Sequence, residues 1–167
     1  MRSHWQCNDD DPEISVCVIT YNHARFIGKC LDGIRQQENL PRHEVIICDD
    51  ASGDETENLI KEYIERYALT NYYYFKSEKN TGMMANLTKA LTLCRGKFVA
   101  LCEGDDYWTD PCKLQKQYSL MESNPECTIT VHSGFILFPD GSRKKAFSRG
   151  SKIRRFDLRE ILSGSST

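Results

Sequence analysis

Long apolar runs are missing from this chain of 167 residues. None approaches the roughly 20 consecutive residues that span a bilayer, so no transmembrane helix is expected. A dominant charge is missing as well. The 22 basic and 24 acidic residues leave a formal charge of −2 and are interspersed along the chain, which argues against the basic stripe of a nucleic-acid binder and against an acidic tail. The eight cysteines, at positions 7, 17, 30, 48, 94, 102, 112 and 127, form no CxxC pair, and no signal-peptide pattern precedes them. Neither a zinc site nor a disulfide framework is expected, and the thiols read as reduced. The chain also lacks GxGxxG, GxxxxGK[ST], GxSxG and HExxH, which removes dinucleotide-binding, P-loop, hydrolase-elbow and zincin readings. His23, His43 and His132 are scattered, with no spacing that argues for a metal or a nucleophile.

What is present is an alternation of two periods. Residues 1–12 are polar and follow neither period, so they read as a flexible lead-in. The segment 14–20, ISVCVIT, is apolar on both faces, as in a strand buried within a parallel sheet. Phe26, Ile27, Cys30, Leu31 and Ile34 then recur at helical spacing. The unit repeats with a strand at 44–50 and a helix marked by Leu59, Ile60, Tyr63, Ile64 and Tyr67, which Ser52 and Glu55 would start as a capping box. A third strand at 72–76 precedes a helix carrying Met84, Leu87, Leu91 and Cys94, which Gly96 would terminate, and a fourth strand covers 97–102. Three successive strand–helix units predict a parallel sheet with right-handed crossovers and helices on both faces, an α/β architecture. Beyond Asp110 the pattern predicts a helix with Leu114, Tyr118 and Met121, and a long strand over 128–138. A Pro139-Asp140-Gly141 turn then leads into a strand at 142–148, which makes a mixed-sheet hairpin, and a short helix is expected over 156–162.

In an open α/β sheet, ligands bind beyond the carboxyl ends of the strands. Polar residues gather there: Thr20-Tyr21-Asn22-His23 after the first strand, Asp49-Asp50 with Ser52 and Asp54 after the second, Asn80-Thr81-Gly82 after the third, and Glu103-Gly104-Asp105-Asp106 after the fourth. Adjacent carboxylates on a turn can divide their work, one binding a hard cation and the other a sugar hydroxyl. The bland alternative is a solvated acidic turn. Tyr21 could stack on a base or simply pack. Asn80 and Gly82 are equally well explained as turn residues, and Ser52 and Asp54 as capping residues. A pyrophosphorylase would need a glycine-rich loop after the first strand, where residues 21–25 contain no glycine, and a phosphoacceptor receiver domain would want its acidic pair at the end of that strand.

Taken together, ISVCVITYN (14–22), VIICDDASGD (45–54), EKNTG (78–82) and LCEGDDYWTDPCKLQK (101–116) closely resemble the family 2 glycosyltransferases of the GT-A fold, over about residues 13–135. The stretch from Glu103 resembles a bacterial subgroup associated with cell-surface polysaccharide synthesis. The resemblance implies a Rossmann-like, mostly parallel sheet. Residues 13–167 would form a single domain cut short on its acceptor side. It implies inverting transfer from a nucleotide-diphosphate-sugar, a UDP-sugar being favoured, to a glycan or lipid-linked acceptor. Thr20, Tyr21 and Asn22 would lie at the nucleobase, with Asp49, Asp50, Asn80 and Gly82 completing the donor site and Asp50 bonding a uracil ring. Asp105 would contact the ribose or sugar, and Asp106 would ligate Mn2+ or Mg2+. The family's catalytic base is not identified, since neither Asp140 nor Asp157 sits in a match to its motif. A cytoplasmic location, at the inner face of the membrane through peripheral association, is expected, with no nucleic-acid partner. The alternative is a non-catalytic nucleotide-sugar-binding fragment or degenerate relative.

Overall fold

A computed structural model of the chain describes residues 11–146. The expected lead-in up to residue 10, the end of the second hairpin strand and the helix over 156–162 lie outside those residues. Two units are described, one up to Glu126 and one from Cys127.

The first unit alternates strand and helix: β1 (Ile14–Thr20), α1 (Ile27–Arg35), β2 (His43–Asp49), α2 (Thr56–Arg66), β3 (Tyr72–Lys76), α3 (Met83–Leu93), β4 (Phe98–Glu103) and α4 (Lys113–Glu122). The strands form one parallel sheet in the order β3-β2-β1-β4. All seven residues of β1 are buried, because β1 is flanked by β2 and β4 and covered on both faces. Strand periodicity assigns the faces. Ile14, Val16 and Val18 with Val45 and Ile47 pack against Ile27, Leu31 and Ile34 of α1 and Ile60 and Tyr63 of α2. Cys17 and Ile19 with Ile46 and Cys48 pack against Ala90 and Cys94, at and just beyond the end of α3. Each fully buried Ile, Val or Leu contributes roughly 1.5–3 kcal/mol, so the expected pattern of helices on both faces is also where the stability resides. Among the described residues β4 is paired only with β1, and its Val99 and Leu101 are exposed.

A polar clamp crosses the amino-terminal end of β1 and β2. The carboxylate of Glu44, buried beside Ser15, accepts from Ser15 Oγ (2.7 Å) and the Arg95 amide (2.8 Å) on one oxygen. The other oxygen accepts from Arg95 Nε (3.1 Å) and Nη2 (2.7 Å).

Several local expectations change. Ser52 and Glu55 form no capping box: α2 has Glu55 at its N-cap with no side-chain cap bond, and Asp54 Oδ1 instead accepts from the Thr56 amide and hydroxyl. Phe26, Leu59 and Tyr67 are exposed, and α3 buries Asn86 and Ala90 while Met84 and Leu91 face solvent. Gly96 is not a left-handed terminator. It is needed because a Cβ there would lie 2.4 Å from the Ser15 amide nitrogen.

The second unit is described from Cys127 to Ala146 and contains β5 (Gly134–Leu137) and β6 (Arg143–Ala146), paired antiparallel through the Pro139–Gly141 turn. The long strand expected over 128–138 shortens to four residues, because the described ladder runs only from Gly134↔Ala146 to Leu137↔Arg143. β-branched composition alone does not make a strand where no ladder supports it.

Candidate functional site

The strand order reverses at β1: the chain runs outward through β2 and β3, then crosses back to place β4 on the other side. A crevice is expected at such a switch point. A cleft of about 220 Å³ opens there, bounded by Ile19–His23 without Asn22, by Asp50, by Asn80 and Gly82, by Met83 and Asn86 of α3, and by Glu103 and Asp105. That is below the roughly 300–1,000 Å³ of a complete small-molecule site, and suits one part of a larger ligand.

Each wall has a local cause. Gly104 follows β4, its amide donating to Ile19 O (2.9 Å), and the Asp106 amide closes the turn onto Glu103 O (2.9 Å). A Cβ on Gly104 would sit 2.7 Å from Thr20 Oγ1 and 2.8 Å from His23 Nδ1, so only glycine lets the acidic turn lie against the end of β1. Gly82 has φ 92°, a left-handed value that favours glycine, and its carbonyl accepts from the Asn86 amide in the first turn of α3.

Asp50 holds the third wall. One carboxylate oxygen accepts from the Thr81 amide (2.8 Å) and hydroxyl (2.9 Å), and the other from the Gly82 amide (2.7 Å). Burial alone would raise the Asp50 carboxyl, but these donors outweigh it and hold the group below its ordinary range. Asp50 therefore fixes the Asn80–Gly82 turn as well as lining the cleft.

Of the residues expected to bind a donor, Thr20, Tyr21, Asp50, Asn80, Gly82 and Asp105 line this cleft, whereas Asn22, Asp49 and the expected metal ligand Asp106 do not. Asp49 is fully buried and saturated by Ser52 N (2.8 Å), Ser52 Oγ (2.6 Å) and Tyr74 Oη (2.7 Å). Asn22, at φ 55°, ties two loops together: its amide donates to Ser52 Oγ and its side-chain oxygen accepts from the Gly53 amide. Both residues shape the site from behind. His23 and Asn86 were not singled out by spacing, yet both line the cleft. His23 Nε2 lies 3.8 Å from Asp105 Oδ2, and Asn86 Nδ2 donates to Cys48 O (2.9 Å).

Among the described residues, the buried side-chain polar atoms without a hydrogen-bond partner are Thr20 Oγ1, His23 Nδ1 and Asn86 Oδ1. All three belong to residues of this cleft. Native interiors leave few such atoms, because each costs about 1–3 kcal/mol. That all three fall in residues of one cleft sets this place apart within the described chain.

The described residues contain no preassembled group of three or more metal-binding side chains. Half-exposed Asp105 and exposed Asp106, adjacent on one turn, nonetheless offer hard oxygen donors beside the cleft. One or two carboxylates, completed by phosphate oxygens and water, is the set that Mg2+ and similar cations take. The residues fit such an ion. No helix among the described residues is long and apolar enough to cross a membrane.

Comparison with known proteins agrees with this geometry. The profile of Glycosyl transferase family 2 matches residues 15–164. An uncharacterized protein of Mycobacterium tuberculosis is 40% identical over 150 residues, covering 90% of this chain and 43% of that protein. S. aureus TarS 1–349, solved with UDP-GlcNAc, superimposes with a TM-score of 0.60 at 28% identity, over 68% of this chain and 32% of TarS. The mannosyltransferase PcManGT from Pyrobaculum calidifontis, solved with GDP-Man and Mn2+, superimposes with a TM-score of 0.63 at 25% identity, over 83% of this chain and 40% of that one. The chain thus spans less than half the length of each of these relatives.

Proposed function

Because the chain belongs to glycosyl transferase family 2, we propose that it forms the donor-binding part of an inverting glycosyltransferase, which moves a hexose-type sugar from a nucleotide diphosphate to a glycan or lipid-linked acceptor. The observation that carries this reading is that Thr20, His23 and Asn86, the described residues with unpartnered buried polar side-chain atoms, all line the cleft between β1, β4 and the start of α3. The base and ribose of the donor occupy that cleft, with Tyr21 available for stacking and Asp105 for a ribose or sugar hydroxyl. Asp106 would hold Mn2+ or Mg2+, and such an ion would supply positive charge for the diphosphate leaving group. A UDP-sugar is favoured by the likeness to TarS, which was solved with UDP-GlcNAc. A role in cell-surface polysaccharide synthesis at the cytoplasmic face of the membrane is the matching setting.

A second reading is a nucleotide-binding piece without transfer, favoured because Asp140 only ties its own turn, accepting from the Ser142 amide (2.8 Å). The deciding experiment is calorimetry with UDP and with GDP, each with and without Mn2+. UDP with Mn2+ should bind most tightly, and Asp106→Ala should reduce its affinity to the metal-free level. No heat from either nucleotide, or equal affinity in Asp106→Ala, refutes the assignment. Sustained donor turnover would exclude the second reading.

A further inference from the structure

The charges are not evenly interspersed as expected: the near-neutral total conceals an uneven distribution. Residues 127–167 carry eight basic and three acidic side chains, a net +5, whereas residues 1–126 carry 14 basic and 21 acidic ones, a net −7. Such asymmetry between the parts of a chain points to a polyanionic partner for the basic part.

Within the described part of that basic unit, the charge is organised. Three consecutive cross-strand pairs, Phe135↔Lys145, Ile136↔Lys144 and Leu137↔Arg143, each set an apolar residue of β5 opposite a base of β6. Paired residues share a face and successive pairs alternate faces. Both faces of the ribbon therefore present an apolar group beside a cation. Phe135, Ile136 and Leu137 are each at least half exposed, Phe138 nearly so, and all three bases are exposed. The Arg143 guanidinium lies 4.9 Å from the Phe135 ring centroid, so its charge rests on an aromatic face. The single acid of the hairpin, Asp140, is held in the turn by the Ser142 amide.

This is an apolar strand joined to a cationic one. A ribbon with one face on a core and the other in water would be apolar on one face only, whereas here both faces carry apolar groups and cations together. A nucleic acid would satisfy the cations but gain nothing from Ile136 and Leu137, which cannot stack on bases. A headgroup boundary satisfies both: apolar side chains enter the acyl border while Lys and Arg stems reach back to phosphates. An isolated two-stranded hairpin is marginal in water, and such a surface would also steady it.

We propose that the β5–β6 hairpin docks on an anionic lipid bilayer surface. This inference is independent of the donor site.

Co-sedimentation of the full 167-residue chain with vesicles tests it, using phosphatidylcholine alone and with about 30 mol% phosphatidylglycerol at about 0.1 M salt. The chain should partition at least tenfold more strongly onto the anionic vesicles, and about 0.5 M salt should remove most of the difference. Each base near an anionic surface is worth about fivefold in partition, so K144E/K145E should reduce binding at least 25-fold. I136S/F138S, with every charge retained, should reduce it by about tenfold through lost apolar contact. Circular dichroism checks that each variant remains folded. Equal binding to neutral vesicles, no binding to anionic ones, or indifference to I136S/F138S overturns the proposal. Binding to single-stranded RNA that matches the vesicle binding and ignores I136S/F138S would assign the patch to a nucleic acid instead. UDP calorimetry on the same samples reports the donor site separately, so either reading can fail without the other.

Discussion

Replacing Asp50 with asparagine tests whether the turn that walls the cleft is held by a charge. In the native chain the carboxylate receives three donors, two from Thr81 and one from Gly82. Asparagine keeps an oxygen for Thr81 but turns an amino group toward the Gly82 amide. One charge-assisted bond, worth about 1.5–3 kcal/mol, is lost and a donor faces a donor. The Gly82 amide retains a second acceptor in Asn80 Oδ1 at 3.0 Å, which keeps the loss near the middle of that range, about 2 kcal/mol. At 2–4 °C per kcal/mol, Asp50→Asn should melt about 4–8 °C below wild type at pH 7. UDP affinity should fall about tenfold as the Asn80–Gly82 wall loosens, since 1.4 kcal/mol corresponds to a factor of ten. The pH dependence supplies an internal check. The folded carboxyl titrates below its unfolded value, so its stabilisation is complete above about pH 4 and is lost as pH falls through the folded value. The gap in melting temperature should therefore close toward pH 3. Scanning calorimetry at pH 7, 5 and 3 measures it. An unchanged melting temperature at pH 7, or a gap that persists undiminished at pH 3, would refute the role given to the carboxylate.

Three further outcomes follow from the same geometry. Gly104→Ala should cost about 1–3 kcal/mol of stability and at least tenfold in nucleotide affinity, because the new methyl meets Thr20 and His23 under 3 Å; wild-type affinity by calorimetry would show that the acidic turn need not lie so close to β1. Glu44→Gln should lower the melting temperature by about 4–8 °C by unpairing the Arg95 clamp, a loss taken near 2 kcal/mol because the Arg95 side chain is largely exposed. It should leave UDP affinity within about twofold, since Ser15↔Glu44 and Thr20↔Asp49 lie at opposite ends of the β1–β2 ladder; a large affinity change would break the separation of clamp and site. Lys113 is buried, its ammonium 3.7 Å from the Trp108 ring centroid, and burial pulls its pKa down to about 8. The unfolded lysine titrates higher, so wild-type stability should rise with pH above 8, by about 2 kcal/mol between pH 8 and 9.5 at most. Lys113→Met should remove that rise, as urea denaturation at the two pH values would show; parallel curves for the two proteins would contradict it.

The strand–helix alternation was legible because it rests on local periodicity: β1 and β2 are apolar on both faces, and only a strand covered on both sides tolerates that. The four polar strand ends were legible for the same reason. Neighbouring residues on one strand end were harder to tell apart. Asp49 and Asp50 look equivalent in the chain, but Asp49 is the last residue in register with β1 and points into the layer beneath Tyr74, while Asp50 lies one step beyond and faces the cleft. His23 has no partner in sequence because its neighbours, Gly104 and Asp105, come from the turn after β4. Asn86 does carry a signal: it shares a helix face with Ala90, four residues on, and a buried amide on such a face needs a reason. Side-chain pattern overextends the hairpin strand because ladder pairing is a property of two segments at once.

The β1–β4 pair joins Ile19 to Glu103 and is the ladder with the greatest sequence separation in the sheet. Closing it costs more chain entropy than either of the other parallel ladders. During synthesis, Thr20 waits for the 84 residues up to Gly104 to emerge before the acidic turn can meet it. The cleft is therefore a late product of folding, and a nucleotide that bridges its two banks would act as a clasp on the most expensive contact in the unit, slowing its opening in proportion to occupancy. Resistance to proteolysis in the presence of UDP would then register the completion of the sheet as much as the binding of a ligand.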